Sequence, residues 1–209
     1  MPIMENNNIN LKKIDKMAGL AFKNGIRLHF DSIELFKNNS FPSAYFLSIL
    51  AIEEIGKSFM LMNFLRHSYF DEEYFKYSYS HTVKQFNFAL NLLDYSPKNK
   101  LFKTMTSGQL EKFKQNAMYV SLSRNKGKII LKSKINNPFK INRNKTFDQI
   151  TNINDCLLDL TLGTIKQVYW IESKSAESLL NKRLFSKLKN KWWYIKRKTK
   201  LKLKKIESV

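Results

Sequence analysis

The residues best suited to chemistry are two carboxylates and an ammonium in the middle of an apolar segment. Glu53, Glu54 and Lys57 interrupt a run in which apolar residues fall on nearly every side of a predicted helix. A carboxylate buried without a partner costs several kcal/mol, so each must find a cation, hydrogen-bond donors or water. Two interpretations stay open. Glu53 pairs with Lys57 one turn away and only fixes helix packing, or the cluster faces a polar cavity used for chemistry or recognition.

Helical spacing places the two carboxylates on neighbouring faces. Glu54 shares its face with small and aliphatic residues such as Ala51, whereas Glu53 shares its face with Phe46, Leu50 and Lys57. A helix that is apolar all round is expected to be the central, buried element of its domain.

His81 and Lys84 form a second chemical group, three residues apart on one face of the next predicted helix. If this helix packs antiparallel to the apolar one, as a short connection implies, the pair can meet Glu53, Glu54 and Lys57. An imidazole beside an ammonium could move a proton from an RNA 2′-hydroxyl while the cation stabilises the phosphorane. That is metal-independent ribonuclease chemistry. The alternative is that His81 is a structural histidine bonded to a tyrosine.

Most other catalytic centres are excluded by composition. With six glycines and three histidines, the chain has no phosphate-binding glycine loop, no paired-cysteine site and no Glu-x-x-His pair, so we expect neither a metal nor another cofactor. His29 and His67 are interpreted as surface residues. A lone cysteine, the lack of a leader and apolar runs shorter than about 20 residues predict a cytoplasmic protein without a transmembrane helix.

The net charge of +20 is concentrated in two segments. Residues 112–147 hold ten Lys or Arg and residues 178–206 hold twelve, and neither segment contains Asp or Glu. This pattern favours a polyanionic partner, nucleic acid first and an anionic membrane second, although an AT-rich genome would also enrich lysine. The residues predicted to contact nucleic acid are Arg124, Lys126, Lys128, Trp192, Trp193, Lys196, Arg197 and Lys198.

The elements that must position these residues are mostly helical. Periodicity and end signals predict helices over 9–37, 41–66, 72–93 and 107–117, a hairpin around a turn at 123–127, and a last helix from 147 or 151 to 180. We expect a helical domain over 1–180, with a basic hairpin or loop at about 118–147, and a basic amphipathic helix or tail over 181–209. The apolar stripe of that tail could pack on the domain or a dimer mate, support nucleic-acid contact, or dock on a membrane surface.

The segment from Pro42 to Lys57, with its Ala-Ile-Glu-Glu-Ile-Gly-Lys string, resembles the AbiV family of abortive-infection proteins, a branch of the HEPN superfamily. Supporting residues are His81-x-x-Lys84 and Ala117-Met-Tyr-Val120, and the resemblance covers roughly residues 10–180. It implies an all-α, HEPN-like bundle of four to five helices, bacterial defence against phage, and a homodimer. Superfamily relatives are often ribonucleases in which four to six residues separate an Arg from a following His, a pattern that is absent here.

Two hypotheses follow. In the first, the protein acts on RNA or the translation machinery. The enzyme version of this hypothesis is a ribonuclease with His81 as general acid or base, Lys57 or Lys84 contacting phosphate, and Glu53 or Glu54 orienting them. In the second, it is a non-catalytic protein that binds RNA, ribosomes or a phage protein, and the Glu-Glu-Lys cluster is structural. A phage-encoded trigger is implied by the resemblance, and a membrane partner is not expected.

Overall fold

The computed structural model describes residues 10–67, 72–92, 100–122, 124–125 and 128–189, and nearly all of its regular structure is helical. The predicted all-α bundle with a small hairpin is confirmed. In chain order the elements are α1 (Leu11–Lys37), α2 (Phe41–His67), α3 (Glu72–Lys76), a 3-10 turn (Tyr77–Tyr79), α4 (His81–Leu92), α5 (Lys100–Thr106), α6 (Gln109–Met118), β1 (Arg124–Asn125), β2 (Lys128–Ile129), a second 3-10 turn (Pro138–Lys140), α7 (Arg143–Ile165), α8 (Lys174–Glu177) and α9 (Lys182–Lys189).

The two longest helices, α1 and α2, form an antiparallel pair. The Ser58 hydroxyl donates to the carbonyl of Ala18 at 2.8 Å, and the Asn24 amide donates to Glu54 at 3.0 Å. Residue numbers rise along one helix while they fall along the other, so the two helices run in opposite directions. Both helices agree with the prediction to within two residues at each end. Their connection is short because Asn39 takes a left-handed backbone conformation with φ of 60°.

The central helix is α2, as its all-round apolar pattern predicts. It packs against α1, α4, α6 and α7, and its fully buried side chains include Ile49, Ile52, Ile55 and Met60. Each such side chain contributes about 1.5–3 kcal/mol through removal from water. A polar group in the middle of α2, such as Glu53, can therefore be surrounded by protein on most sides.

The prediction of a single helix over residues 72–93 is wrong, because the helical conformation is interrupted before His81. A short helix leads into the 3-10 turn, and Ser80 then adopts an extended conformation with φ of −73° and ψ of 123°. Serine hydroxyls favour such breaks because they compete with the helical backbone for hydrogen bonds. As a consequence, His81 is the first residue of α4 rather than a mid-helix residue.

Backbone breaks also set the other helix boundaries. The helix predicted over 107–117 agrees with α6 to within two residues, and Gly108, with a φ of 71°, separates it from α5, which was not predicted. The last helix starts earlier, after the N-cap Asn142, and ends at Ile165 before Gln167 with a φ of 56°. Residues with positive φ cannot continue a right-handed helix, so each one ends an element.

The basic hairpin is confirmed in short form. Arg124 pairs with Ile129 and Asn125 with Lys128, and a separate bridge joins Ser121 to Asn136. At the C-terminal side, α9 packs on α7, which agrees with packing of the apolar stripe for residues 182–189. The rest of the predicted tail lies outside the described residues, so the division at residue 180 stays a prediction. In the described ranges, no helix has both the length and the hydropathy that a bilayer crossing requires.

Candidate functional site

Glu53 is the centre of a hydrogen-bond network that joins three helices. Its side chain is 3 % exposed and accepts three hydrogen bonds: from His81 Nδ1 at 2.7 Å, from Gln85 Nε2 at 2.9 Å and from Lys114 Nζ at 2.8 Å. The donors come from α4 and α6, whereas Glu53 belongs to α2. Both oxygens of this buried carboxylate therefore have hydrogen-bond partners.

His81 is the part of this network that reaches solvent. Its side chain is 50 % exposed, while its Nδ1 atom contacts the Oε2 atom of Glu53. With Glu53 ionised, Nδ1 carries the proton and donates it, so Nε2 is the basic atom of the neutral ring. A carboxylate that orients an imidazole in this way is a common arrangement for general acid or base catalysis.

Lys114 is the internal cation of the site, and the sequence analysis did not select it. Its ammonium lies 2.8 Å from Glu53 Oε1 and 2.7 Å from Glu111 Oε2, and its side chain is buried. The available signal was its place between Leu110 and Ala117, the buried residues of the amphipathic α6. Gln85 was missed in the same way, since it is buried on the face of α4 that also carries Phe88.

Lys84 is also buried beside the network. Removal from water lowers the pKa of its ammonium, and the nearby carboxylates of Glu53 and Glu54 oppose that effect only in part. The positive charges of Lys57 and Lys114 lower the pKa of Lys84 further. This lysine is therefore an easier proton donor than an exposed one.

Glu54 and Lys57 lie apart from this centre. Glu54 is half-buried and accepts a hydrogen bond from Asn24, and Lys57 lies 6.0 Å from the ring centroid of Tyr79. Among the described residues, no salt bridge joins Lys57 to Glu53, so the expected pair within α2 does not form. The physical reason is that Lys114 and His81 approach Glu53 from other helices.

The remaining histidines differ from each other. His67 is exposed at the end of α2, as expected. His29 is fully buried, with Nε2 3.1 Å from Asn154 Oδ1, so the interpretation as a surface residue was wrong. Because α1 contacts α2, α7 and α8, its buried face is wider than that of a helix covered on one side.

A cleft of about 850 Å³ opens beside the network. His81, Lys112 and Lys114 line it with cationic or titratable groups, and Phe46 and Leu50 from α2 provide an apolar part. Lys57 and Lys84 are not among the described residues that line the cleft. Neither of these two lysines, which the sequence suggested as phosphate contacts, is therefore placed to contact a ligand in the cleft.

Three side chains of the site could in principle bind a metal ion. Ligand atoms of Glu53, His81 and Glu111 lie within 4.8 Å of one another. However, the ammonium of Lys114 is bonded to both carboxylates, so a cation of the protein already compensates their charge. A metal ion would have to displace this lysine from a buried position, which makes the residues a poor fit for one.

The family comparison covers the whole of this site. The family model of AbiV, a HEPN family, matches residues 13–159, which is well over half of the chain and includes Glu53, His81 and Lys114. The chain belongs to the AbiV family. Membership places it in the HEPN superfamily and supports a role in abortive-infection defence. Searches of curated proteins and of solved structures gave no significant match.

The AbiV-like Glu-Glu-Ile-Gly-Lys string now has a physical explanation. A Cβ atom added to Gly56 would lie 1.9 Å from the carbonyl oxygen of Lys84 and 3.1 Å from the backbone nitrogen of Phe88. The two helices therefore cross in direct backbone contact. This close approach brings His81 and Gln85 within hydrogen-bond distance of Glu53.

Two of the residues selected for nucleic-acid binding in this AbiV-family chain lie in the hairpin. Arg124 lies on β1, and Lys128 is exposed on β2 and is not among the described residues that line the cleft. The others lie outside the described residues: Lys126, Trp192, Trp193, Lys196, Arg197 and Lys198. Their role in binding stays a prediction.

Proposed function

We propose that this protein stops phage multiplication by acting on RNA as a metal-independent ribonuclease centred on His81. The observation that carries the proposal is the half-exposed imidazole at the cleft, held through Nδ1 by the buried carboxylate of Glu53. This leaves Nε2 available to a ligand. Family membership supports the wider role in abortive infection.

The proposed reaction uses residues of the cleft. His81 Nε2 accepts the proton of a ribose 2′-hydroxyl, and the 2′-oxygen attacks the adjacent phosphorus. The bond from phosphorus to the 5′-oxygen breaks, which yields a 2′,3′-cyclic phosphate and a 5′-hydroxyl that takes its proton from water. Lys112 is exposed at the cleft. In this proposal it stabilises the charge of the phosphorane, the role that the sequence had suggested for Lys57 or Lys84.

The test is incubation of the purified protein with total bacterial RNA in EDTA, with and without phage lysate. We expect cleavage by the wild type and by His67→Ala, whose exposed histidine lies at the end of α2 away from the cleft lining. His81→Ala should lose cleavage while keeping the wild-type circular dichroism spectrum and a cooperative unfolding transition, with a lower melting temperature because one hydrogen bond to Glu53 is lost. Full cleavage by folded His81→Ala, or intact RNA in every condition, would overturn the ribonuclease proposal.

A second candidate is a non-catalytic protein that binds RNA, ribosomes or a phage protein. It is favoured by the network itself, because Glu53 holds α4 and α6 to α2 and so has a structural role in any case. Intact RNA together with co-sedimentation on ribosomes would support it. Charge reversal at Lys196, Arg197 and Lys198 should then abolish co-sedimentation if the tail binds, and unchanged co-sedimentation would count against the tail.

We also propose a homodimer and a phage-encoded trigger, both on the strength of the family. Light scattering on the purified protein should give twice the chain mass of 24.7 kDa. Activity that requires phage lysate would support the trigger, and equal activity without lysate would contradict it. Liposome flotation should leave the protein unbound, since no membrane partner is expected.

A further inference from the structure

The cleft changes character with distance from His81. Phe46 and Leu50 share the α2 face of Glu53 and, at a rise of about 1.5 Å per residue, lie about 10 Å and 5 Å from it along the helix axis. Both line the cleft, as does Tyr119, which directly follows α6. One end of the cleft is therefore lined by charged and titratable groups, the carboxylate of Glu111 among them, and the other is apolar and aromatic.

Tyr119 is presented to solvent by a backbone that is fixed in place. The residue is 57 % exposed, and its carbonyl accepts a hydrogen bond from Asn136 Nδ2 at 2.6 Å. The same amide group donates to the carbonyl of Asn116, and the backbones of Ser121 and Asn136 exchange hydrogen bonds. An exposed aromatic ring on a held backbone loses little conformational freedom when a ligand binds.

These features match a nucleotide with an accessible base. Single-stranded nucleic acid binds where a cationic groove follows the phosphates and aromatic side chains stack on the bases. The lining includes Lys112 and His81, which can meet a phosphate, and Tyr119, Leu50 and Phe46, which can cover a base. A volume of about 850 Å³ also lies within the usual range for small-molecule sites.

A paired strand cannot use this cleft in the same way. The bases of an A-form duplex are stacked inside it, and proteins contact the duplex through its backbone and shallow groove. A base could reach Tyr119 only from a single-stranded region.

We propose that the apolar end of the cleft is a nucleobase subsite with Tyr119 as its stacking residue, so that the protein selects single-stranded RNA. This inference rests on the proposed action on RNA. It gives a role to Tyr119, which belongs to the Ala117-Met-Tyr-Val120 string of the resemblance but has no function assigned by it.

The test is fluorescence anisotropy with a labelled 2′-O-methyl oligonucleotide, which cannot be cleaved because it has no free 2′-hydroxyl. The wild type should bind the single strand at least tenfold more tightly than the same strand paired with its complement. Tyr119→Ala should weaken single-strand binding by about 5- to 100-fold. Tyr119→Phe, which keeps the ring, should bind like the wild type, and so should Tyr77→Ala, which removes an exposed tyrosine outside the cleft lining.

A matched oligonucleotide without bases separates stacking from charge. This abasic strand has the same phosphates but nothing to stack on Tyr119. If the subsite exists, the affinity of the wild type for the abasic strand should be as low as the affinity of Tyr119→Ala for the normal strand. Equal affinity for the normal and abasic strands, or unchanged binding by Tyr119→Ala, would overturn the subsite. If RNA cleavage nevertheless depends on His81, only the subsite is wrong. If neither cleavage nor binding of RNA is found, the proposed function fails with it.

Discussion

Gly56→Ala tests how closely the site depends on the crossing of α2 and α4. The added Cβ would lie 1.9 Å from the carbonyl oxygen of Lys84, whereas ordinary contact begins at 3.4 Å, so the backbones must separate by about 3.4 − 1.9 = 1.5 Å. Such a shift would lengthen the bonds from His81 and Gln85 to Glu53, now 2.7 Å and 2.9 Å, to more than 4 Å. Both would then exceed hydrogen-bond distance.

The energetic consequence combines two opposing effects. A hydrogen bond to a charged group contributes about 1.5–3 kcal/mol, and two of them are lost. Alanine is favoured over glycine inside a helix by about 1 kcal/mol, which offsets part of that loss. We therefore expect Gly56→Ala to lower the free energy of unfolding by about 2–5 kcal/mol. Any RNA cleavage should fall as well, because His81 loses its contact with Glu53.

Urea unfolding followed by circular dichroism measures this change, with Gly163→Ala as the matched control. A Cβ at Gly163 would meet the ring of Tyr169 at 2.1 Å, but this ring lies on an exposed loop and can turn away. Turning away costs the Tyr169 hydroxyl its hydrogen bond to Asp159, but alanine at position 163 gains helix propensity. The two effects nearly cancel, so the free energy of unfolding should change by less than about 1 kcal/mol. If Gly56→Ala were as stable as the wild type, or lost no more than the control, the argument from close helix contact would be wrong.

Three further predictions concern polar groups that are buried or half-buried. Lys114→Met leaves Glu53 buried without its cation and should cost about 3–5 kcal/mol of unfolding free energy, and adding Glu53→Gln should restore most of it; a double variant no more stable than the single one would contradict this. Asp15 has a lowered pKa because hydrogen bonds from two serines outweigh the effect of burial, so its contribution to stability is present above its unfolded pKa of about 3.9 and is lost as the pH falls through the folded value. The stability difference between wild type and Asp15→Asn should therefore shrink in acid, and a difference constant from pH 7 to 2 would refute the link. Asn154→Ala removes the partner of His29 Nε2 and should cost about 1–3 kcal/mol in the same urea assay, with a loss below about 0.5 kcal/mol counting against a structural role.

Much of the fold could be predicted because the apolar pattern of a long helix is averaged over many residues. The apolar surround of α2 and the stripe of α1 persist over more than twenty residues each, so single exceptions do not change the pattern. The breaks at Ser80 and Gly108 depend on the backbone conformation of one residue. Propensity cannot determine such a break when tertiary packing decides it.

The candidate site could be predicted only in its local part. Glu53 and His81 were selected because a charge in an apolar helix and a lone histidine near a lysine are unusual. Lys114 and Gln85 could not be paired with Glu53 from sequence, since they lie 61 and 32 residues away. Lys114 also falls within a basic run, where a lysine is normally expected to be exposed.

The late position of α6 in the chain has a consequence for protein synthesis. Glu53 and His81 are translated well before residues 109–118, which supply both the compensating lysine and much of the lining of the cleft. A chain that ends before α6 would contain the histidine and the carboxylate but would lack the internal cation and most of the lining of the cleft. The proposed activity is therefore tied to completed translation and folding of the helical core, and fragments from early termination would not carry it.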